Sequence, residues 1–405
     1  MTPAQTLRAL APILSLAMLF SACSAAPVQA GPSPWDHKGE HPAAPLADAP
    51  FTLTEIASLN EPWAMVFLPA TPYALITEKS GQLKLWQDGG PVQTVQGVPA
   101  VKYAGQGGLG DVILAPDFAA TGTIYLSWAE AGDNESGGAD VAGAVVAKAK
   151  LVLGDRPALE NLDIIWRQTP KVSGGGHFSH RLAFSPDGKY LFIGSGDRQK
   201  MEPAQDLNSQ LGKILRLYPD GSVPADNPYT DQGDVSALIW SLGHRNILGL
   251  TFDANGQLWN QEMGPKHGDE VNLVTPRANH GWPIVSNGDH YDGPNIPDHA
   301  TRPDFAAPKL WWNPAVSPGG LAYYGGNLYP NWHGSLLMGA LSGQGLVRMA
   351  INGDQLSKAD RWDLGMRIRE VEVRDDGSVW LLSDGKDGKL WKLTPKNTAP
   401  SPAKS

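Results

Sequence analysis

His177 follows three glycines in SGGGHFSHRLAF (173–184), and Asp197 closes the next apolar stretch in IGSGDR (193–198). A hairpin between the two stretches brings the carboxylate to the imidazole. A histidine held by an aspartate has a fixed tautomer and raised basicity, which suits general-base work. The competing reading is a surface histidine after a glycine turn, and His180 carries no catalytic signal of its own. Arg245 stands in IWSLGHRNILG (239–249), flanked by apolar stretches. A buried arginine needs an anionic partner, either a structural carboxylate or a bound anion. In GMRIREVEV, Arg367 and Arg369 are two apart and so face one side of a strand. Two aligned guanidinium groups suit a ligand with several carboxylates or phosphates. Solvated strand charge is the plainer explanation.

Two further segments break the apolar rhythm. In YAGQGGLGD (103–111) the glycines allow close backbone approach, and Gln106 is placed to line a cavity unless the segment is simply a turn. In NQEMGPKHGDEVNLVTPRANHGWP (260–283), Gly264-Pro265 is suited to turn two carbonyls toward one point, with Glu262, Asp269 and Glu270 nearby. Such oxygen donors suit a hard cation such as calcium, although the spacing is not that of an EF-hand and an acidic surface loop is the alternative. No G-x-S-x-G, Walker loop, H-E-x-x-H, C-x-x-C or dinucleotide fingerprint at a strand–helix junction occurs. Nicotinamide chemistry, phosphoryl transfer and zinc hydrolysis are therefore disfavoured.

Short strands must position these residues. YALITEKSG, QLKLWQDGG, TIYLSWAE, KYLFIGSGD, QLWNQEMG, SLLMGAL and SVWLLSDGKDGKLWKL are apolar runs punctuated by turns. Asp187-Gly188, Asn255-Gly256, Asp376-Gly377 and Asp387-Gly388 supply the positive φ angles that tight hairpins demand. The phrase D/N-G-x-hydrophobic-aromatic recurs in SPDGKYLF, DANGQLW and RDDGSVW, spaced 68 and 121 residues apart. A unit of about 60 residues repeated over 51–394 gives about six units. The predicted fold is all-β, a six-bladed β-propeller of four-stranded antiparallel blades. A propeller gathers its loops at the end of a central channel, where distant residues meet.

Composition agrees. The 46 Gly and 34 Pro make about a fifth of the 405 residues, against an average of roughly 12%, which argues against a helical bundle. Fourteen Trp and a 41% hydrophobic content argue for a large core and against disorder. The net charge is −9 and no Lys/Arg run exceeds two, so nucleic acid is not an expected partner. Residues 1–30 read as an export signal: Arg8, an apolar stretch from Ala9 to Phe20, then small residues. Cleavage before Cys23, the single cysteine, gives a lipoprotein; cleavage after Ala30 gives a soluble periplasmic protein. Residues 31–50 read as a tether and 395–405 as a flexible tail, with one domain at 51–394.

In combination these blocks are specific. GQGGLGDVILAPDF, GGHFSHRLAF with GSGDR, AQDLNSQLGKILRLYPDGSVPADNPY, IWSLGHRNILGLTF and EMGPKHGDEVNLVTPRANHGWP occur in this order, between LNEPWAMVFLP (59–69) and RIREVEVRDDGSVWLLSD (367–384). The chain thereby resembles the soluble glucose/sorbosone dehydrogenase family, and within it the periplasmic aldose sugar dehydrogenases. The resemblance implies a propeller that binds pyrroloquinoline quinone and calcium over the central channel. It implies oxidation of the C1 hydroxyl of aldoses to lactones, with electrons passing to an external acceptor. His177 matches the general base, Asp197 its orienting carboxylate, and Arg245 and Asn246 cofactor contacts, Arg245 near the quinone oxygens. Gln106, Arg367 and Arg369 match further cofactor contacts. Gly264 and Pro265 match carbonyl ligands of calcium, Asp269 an acidic position near the site, and Glu270 a second, structural calcium. Three positions depart from the family pattern: Ser342 where a lysine is frequent, His180 for a glycine, and His280 for a tyrosine. The 286–312 segment is expected to border the entrance and influence the choice of sugar. A non-catalytic binding propeller and a calcium-dependent lactonase are the other readings. Monomer and homodimer both remain open, and lipidated Cys23 is the expected route to any membrane.

Overall fold

The computed structural model describes Met1 and residues 42–396, apart from 134–137, 139 and 294. The expected export signal with Cys23, residues 31–41 and the tail from 397 onward lie outside the described residues. The strands form six four-stranded antiparallel blades, as the sequence predicts. Blade 1 runs from Pro62–Phe67 to Val92–Val95, blade 2 from Leu109–Leu114 to Ala158–Arg167, and blade 3 from Ser179–Phe184 to Ile239–Leu242. Blade 4 runs from Ile247–Phe252 to Leu310–Trp312 and blade 5 from Pro318–Tyr324 to Gln355–Asp363. In blade 6 the three strands Ile368–Val373, Val379–Ser383 and Lys389–Pro395 take their outermost partner, Phe51–Ser58, from the start of the domain. That pairing closes the ring, because the first strand of the domain completes the blade formed by its last three.

The end of the expected tether is packed on the propeller. Ala44–Pro45 pairs in parallel with Trp362 and Asp363 on the outer edge of blade 5, and Ala49 and Phe51 are buried beside it. The apolar anchors at 49 and 51 hold this segment against the blade, so the domain extends upstream of residue 51.

Between every two adjacent blades lies a separate hydrophobic core, six in all. Strand Tyr73–Glu78 shows why. Leu75 packs in the core shared with blade 2, whereas Ala74 and Ile76 pack in the core shared with blade 6. Both faces of the strand are covered, so it reads as a continuous apolar run. The recurrent aromatic of the repeated phrase falls on the second strand of its blade. Trp259 and Trp380 are fully buried and donate their indole N–H to Asp253 and Ser378 of their own hairpin.

The six innermost strands contact one another in a closed circle around the channel. Each carries a register shift near its first residues: Pro62/Ala64, Leu109/Val112, Ser179/Leu182, Ile247/Gly249, Pro318/Leu321 and Ile368/Glu370. A bulge re-aims the side chains around it. All six sit at the same end of the channel, and that end carries the candidate site.

Candidate active site

The site residues come from two kinds of position. Gln106, His177, Arg245, Asn246 and Arg367 stand just before an innermost strand, and Arg369 is the second residue of one. Asp197, Gly264, Pro265 and Asp384 stand just after the second strand of a blade. The first strand leaves this end of the channel and the second returns to it, so both kinds of position meet there.

The hairpin of blade 3 brings Asp197 to His177. His177 Nδ1 lies 2.7 Å from Asp197 Oδ1, and the pairing of Ser179 with Ser195 holds the two arms in register. Asp197 is wholly buried and His177 is 6% exposed. Asp197 Oδ1 also accepts from the Gln199 amide at 2.8 Å. Gln106 Oε1 accepts from the His177 amide at 2.7 Å, so blade 2 fixes the backbone of the histidine. The arms are locally strained: His177, Ser179, His180, Arg198 and Gln199 all have φ between 48° and 60°. Left-handed backbone costs a non-glycine residue roughly 1–2 kcal/mol, which the surrounding bonds must offset. Gly196 permits the close approach, because a Cβ there would lie 2.0 Å from the His177 carbonyl. Burial pushes the His177 pKa below 6.5, and Arg245 adds to this, against the opposing pull of Asp197. The imidazole is therefore neutral at pH 7, with Nδ1–H given to Asp197 and Nε2 free to accept a proton.

A cavity of about 320 Å³ occupies this end of the channel. Gln106, Asn246, Arg367 and Arg369 line it together with Lys79, and Trp63 and His180 form its floor. Four expected cofactor contacts, from blades 2, 4 and 6, thus line one cavity. Arg367 and Arg369 both bond to Asp384, which explains why two guanidinium groups tolerate each other there. Arg245 borders a neighbouring crevice, and Met263 lines both spaces. Its guanidinium gives one bond, Nη1 to the Met263 carbonyl at 2.9 Å, and its buried Nε has no partner. Among the described residues no carboxylate forms an ion pair with it. Of the two partners open to Arg245, the structural carboxylate is not seen among the described residues, and the Nε stays unpaired.

The crevice beside Arg245 is narrow, about 10 Å³, and is bordered by Gly264, Pro265 and Glu270. Asp269 accepts from the Gly264 amide at 3.0 Å and from the Val316 and Ser317 amides at 2.7 Å each, which shapes the turn. The Pro265 carbonyl accepts from the Tyr291 hydroxyl at 3.0 Å, so the 286–312 segment does reach this turn. Glu270 faces Glu262 directly across two strands. Burial, and after it the Glu262 charge, pushes the Glu270 pKa up to about 8. A desolvated carboxylate beside another is an electrostatic debt that a cation relieves.

Several functional neighbours had no signal in sequence. Trp282 donates its indole N–H to Asp197 Oδ2 at 2.7 Å. Asp384 and Lys79 were likewise unexpected. Among the departures, His180 is not a peripheral residue. Its ring stacks on Trp63 at 5.1 Å and bonds Ser127 at 2.9 Å, and Gly110 makes room for it, since a Cβ there would lie 1.8 Å from the imidazole. Burial and Arg181 lower its pKa to about 3, so it is an uncharged part of the floor. Beneath it Arg181 lies over Trp63 and pairs with Asp111 and Glu370, which closes the channel under the site. Ser342 bonds Ser317 at 2.8 Å, and the lysine that does line the cavity is Lys79, from blade 1. His280 is buried, and its amide pairs with the Leu242 carbonyl.

Comparison with known proteins places this arrangement. The glucose/sorbosone dehydrogenase family model matches residues 59–392. The chain is 38% identical over 348 residues to the aldose sugar dehydrogenase YliI of Escherichia coli K12, covering 84% of this chain and 91% of that protein. A glucose dehydrogenase crystal structure superposes with a TM-score of 0.80 at 41% identity, over 84% of this chain and 99% of the other. The pyrroloquinoline quinone-bound aldose sugar dehydrogenase of Streptomyces coelicolor superposes with a TM-score of 0.69 at 26% identity, over 87% and 99%. A six-bladed propeller with these blocks in order and this match over most of its length belongs to the glucose/sorbosone dehydrogenase family, an oxidoreductase family.

Proposed function

We propose that the protein is a quinoprotein aldose sugar dehydrogenase that oxidises the C1 hydroxyl of aldoses to lactones, with His177 as general base. The observation that carries this reading is a neutral, carboxylate-held imidazole beside a cavity whose wall bears cations. The residues fit an acidic quinone: the Arg245 Nε is buried without a partner, and Lys79, Arg367 and Arg369 line the adjoining cavity. Pyrroloquinoline quinone, when bound, supplies the acceptor for hydride from C1. Gln106, Arg245, Asn246, Arg367 and Arg369 would hold it. The Gly264 and Pro265 carbonyls would hold its calcium, and Glu270 a second calcium, by the chemistry of their oxygens. His177 Nε2 takes the C1 hydroxyl proton as C1 is oxidised. Asp197 keeps the ring aimed and stabilises the imidazolium that forms. Arg245 offers a preorganised positive charge where negative charge develops.

Two other readings are weaker. A calcium-dependent lactonase needs a carboxylate ligand set, and among the described residues no group of three or more His, Cys, Asp or Glu is arranged to hold a metal. A non-catalytic propeller has no reason to keep His177, Asp197, Arg245, Arg367 and Arg369 together. Export by residues 1–30, to the periplasm or to an outer-membrane anchor through Cys23, belongs to the same proposal. Mass spectrometry of the mature N-terminus decides between cleavage at Cys23 and at Ala30.

The test is reconstitution. Purified protein is mixed with pyrroloquinoline quinone and calcium, and dye reduction is followed with a panel of aldoses, with and without chelator. Quinone- and calcium-dependent reduction is expected. Absence of quinone binding at any calcium concentration overturns the proposal.

A further inference from the structure

Asp197 is held from two sides, and only one of them is the base. Oδ1 accepts from His177 and the Gln199 amide, whereas Oδ2 accepts from the indole N–H of Trp282 at 2.7 Å. The indole comes from the loop of blade 4, 85 residues away, and is itself fixed. Its amide donates to the Gly243 carbonyl at 3.0 Å, and its carbonyl accepts from Gln205 Nε2 at 2.7 Å. The ring also lies 5.2 Å from the Arg245 guanidinium. One side chain therefore touches both the carboxylate behind the imidazole and the arginine of the adjoining crevice. Asp197 and Trp282 are 0% and 6% exposed, so water does not replace this bond.

We propose that Trp282 is a positioning residue for proton transfer: its N–H sets the orientation of Asp197 and, through it, the aim and proton affinity of His177. The inference rests on the reading of His177 as the base. A carboxylate that shares its charge among three N–H donors gives less to any one of them. Removing the indole donor frees Asp197 to rotate and concentrates its charge toward the imidazole. The first effect misaligns the base. The second favours the imidazolium and raises the pH at which the base is lost. The charged groups facing His177 are Asp197, Arg245 and Arg198; a Trp282 variant keeps all three and changes only how Asp197 is held.

Trp282→Phe keeps a ring against Arg245 and deletes the donor. In the quinone- and calcium-loaded enzyme, kcat is expected to fall about tenfold, with sugar KM and quinone affinity within about twofold and the acid limb of kcat moved to higher pH. Because the effect passes through Asp197, Trp282→Phe should add almost nothing in an Asp197→Asn background. Additive losses, or a fall in quinone affinity as large as the fall in kcat, overturn the proposal in favour of plain packing. Trp282→Met replaces the phenylalanine variant if thermal melting shows that one unfolded. His177→Asn separates the two levels. Turnover surviving in that variant removes the base reading itself, whereas an inactive His177→Asn with a wild-type Trp282→Phe removes only the role of Trp282.

Discussion

Among the described residues, two buried histidine–carboxylate pairs share a nearly identical geometry. His177 Nδ1 lies 2.7 Å from Asp197, and His244 Nδ1 lies 2.7 Å from Glu262. They differ at the other nitrogen. His244 Nε2 is 2.8 Å from the Ser241 hydroxyl, and the residue is wholly buried. Among the described residues no hydrogen bond engages His177 Nε2, and Phe178, its chain neighbour, and Gln106, which accepts from its amide, line the cavity. Their carboxylates differ too. Burial works to raise the Glu262 pKa, but His244, the Arg245 amide and Asn260 outweigh it and hold the carboxylate ionised. Glu262 Oε2 accepts the Arg245 amide, so the second pair fixes the backbone that carries Arg245. A histidine–carboxylate contact is thus not itself a catalytic signature. The free nitrogen, and what it faces, makes the difference.

Breaking each pair should separate the two roles. His177→Ala is expected to lower turnover roughly 10³-fold while leaving quinone affinity nearly unchanged, read by steady-state kinetics and quinone titration. His244→Ala leaves an ionised Glu262 without its main partner. It should cost about 3 kcal/mol of stability in chemical denaturation, with kcat per folded molecule changed only a few-fold. A loss of activity in His244→Ala that exceeds the loss in His177→Ala would exchange the two assignments. Asp197→Asn should lower kcat by about 10²-fold, since the amide cannot stabilise an imidazolium. The smallest effect sharpens the comparison through pH. The neutral form of His177 is the active base and its folded pKa lies below 6.5, so activity is lost only as pH falls through that depressed value. The acid limb of kcat/KM should therefore lie below pH 6.5; a limb at or above it would mean that Asp197 outweighs burial.

Much of this was legible in the chain. The Asp-Gly and Asn-Gly turns with a following aromatic marked the hairpins, and their spacing marked six units. Asp197 was legible because it ends the strand that pairs back onto the strand after His177, a local relation. Trp282 and Asp384 were not legible, because Trp282 reaches Asp197 from another blade and Asp384 approaches its arginines by the return of a hairpin whose register shifts at Ile368/Glu370. The place of His180 in the floor was not legible, because Gly110, on the neighbouring blade, makes room for its ring. The His244–Glu262 pair carried no signal either, since nothing in sequence distinguishes a sealed imidazole from an open one.

By itself, then, the amino-acid order determined the strands, their turns, the number of blades and which polar segments interrupt them, because hairpin chemistry and apolar runs are local properties. Tertiary structure alone decided which imidazole keeps a free nitrogen, which arginine lacks a carboxylate, and which donors reach Asp197. Those depend on ring closure, which brings the channel ends of different blades together and buries each polar group among neighbours that no local spacing specifies.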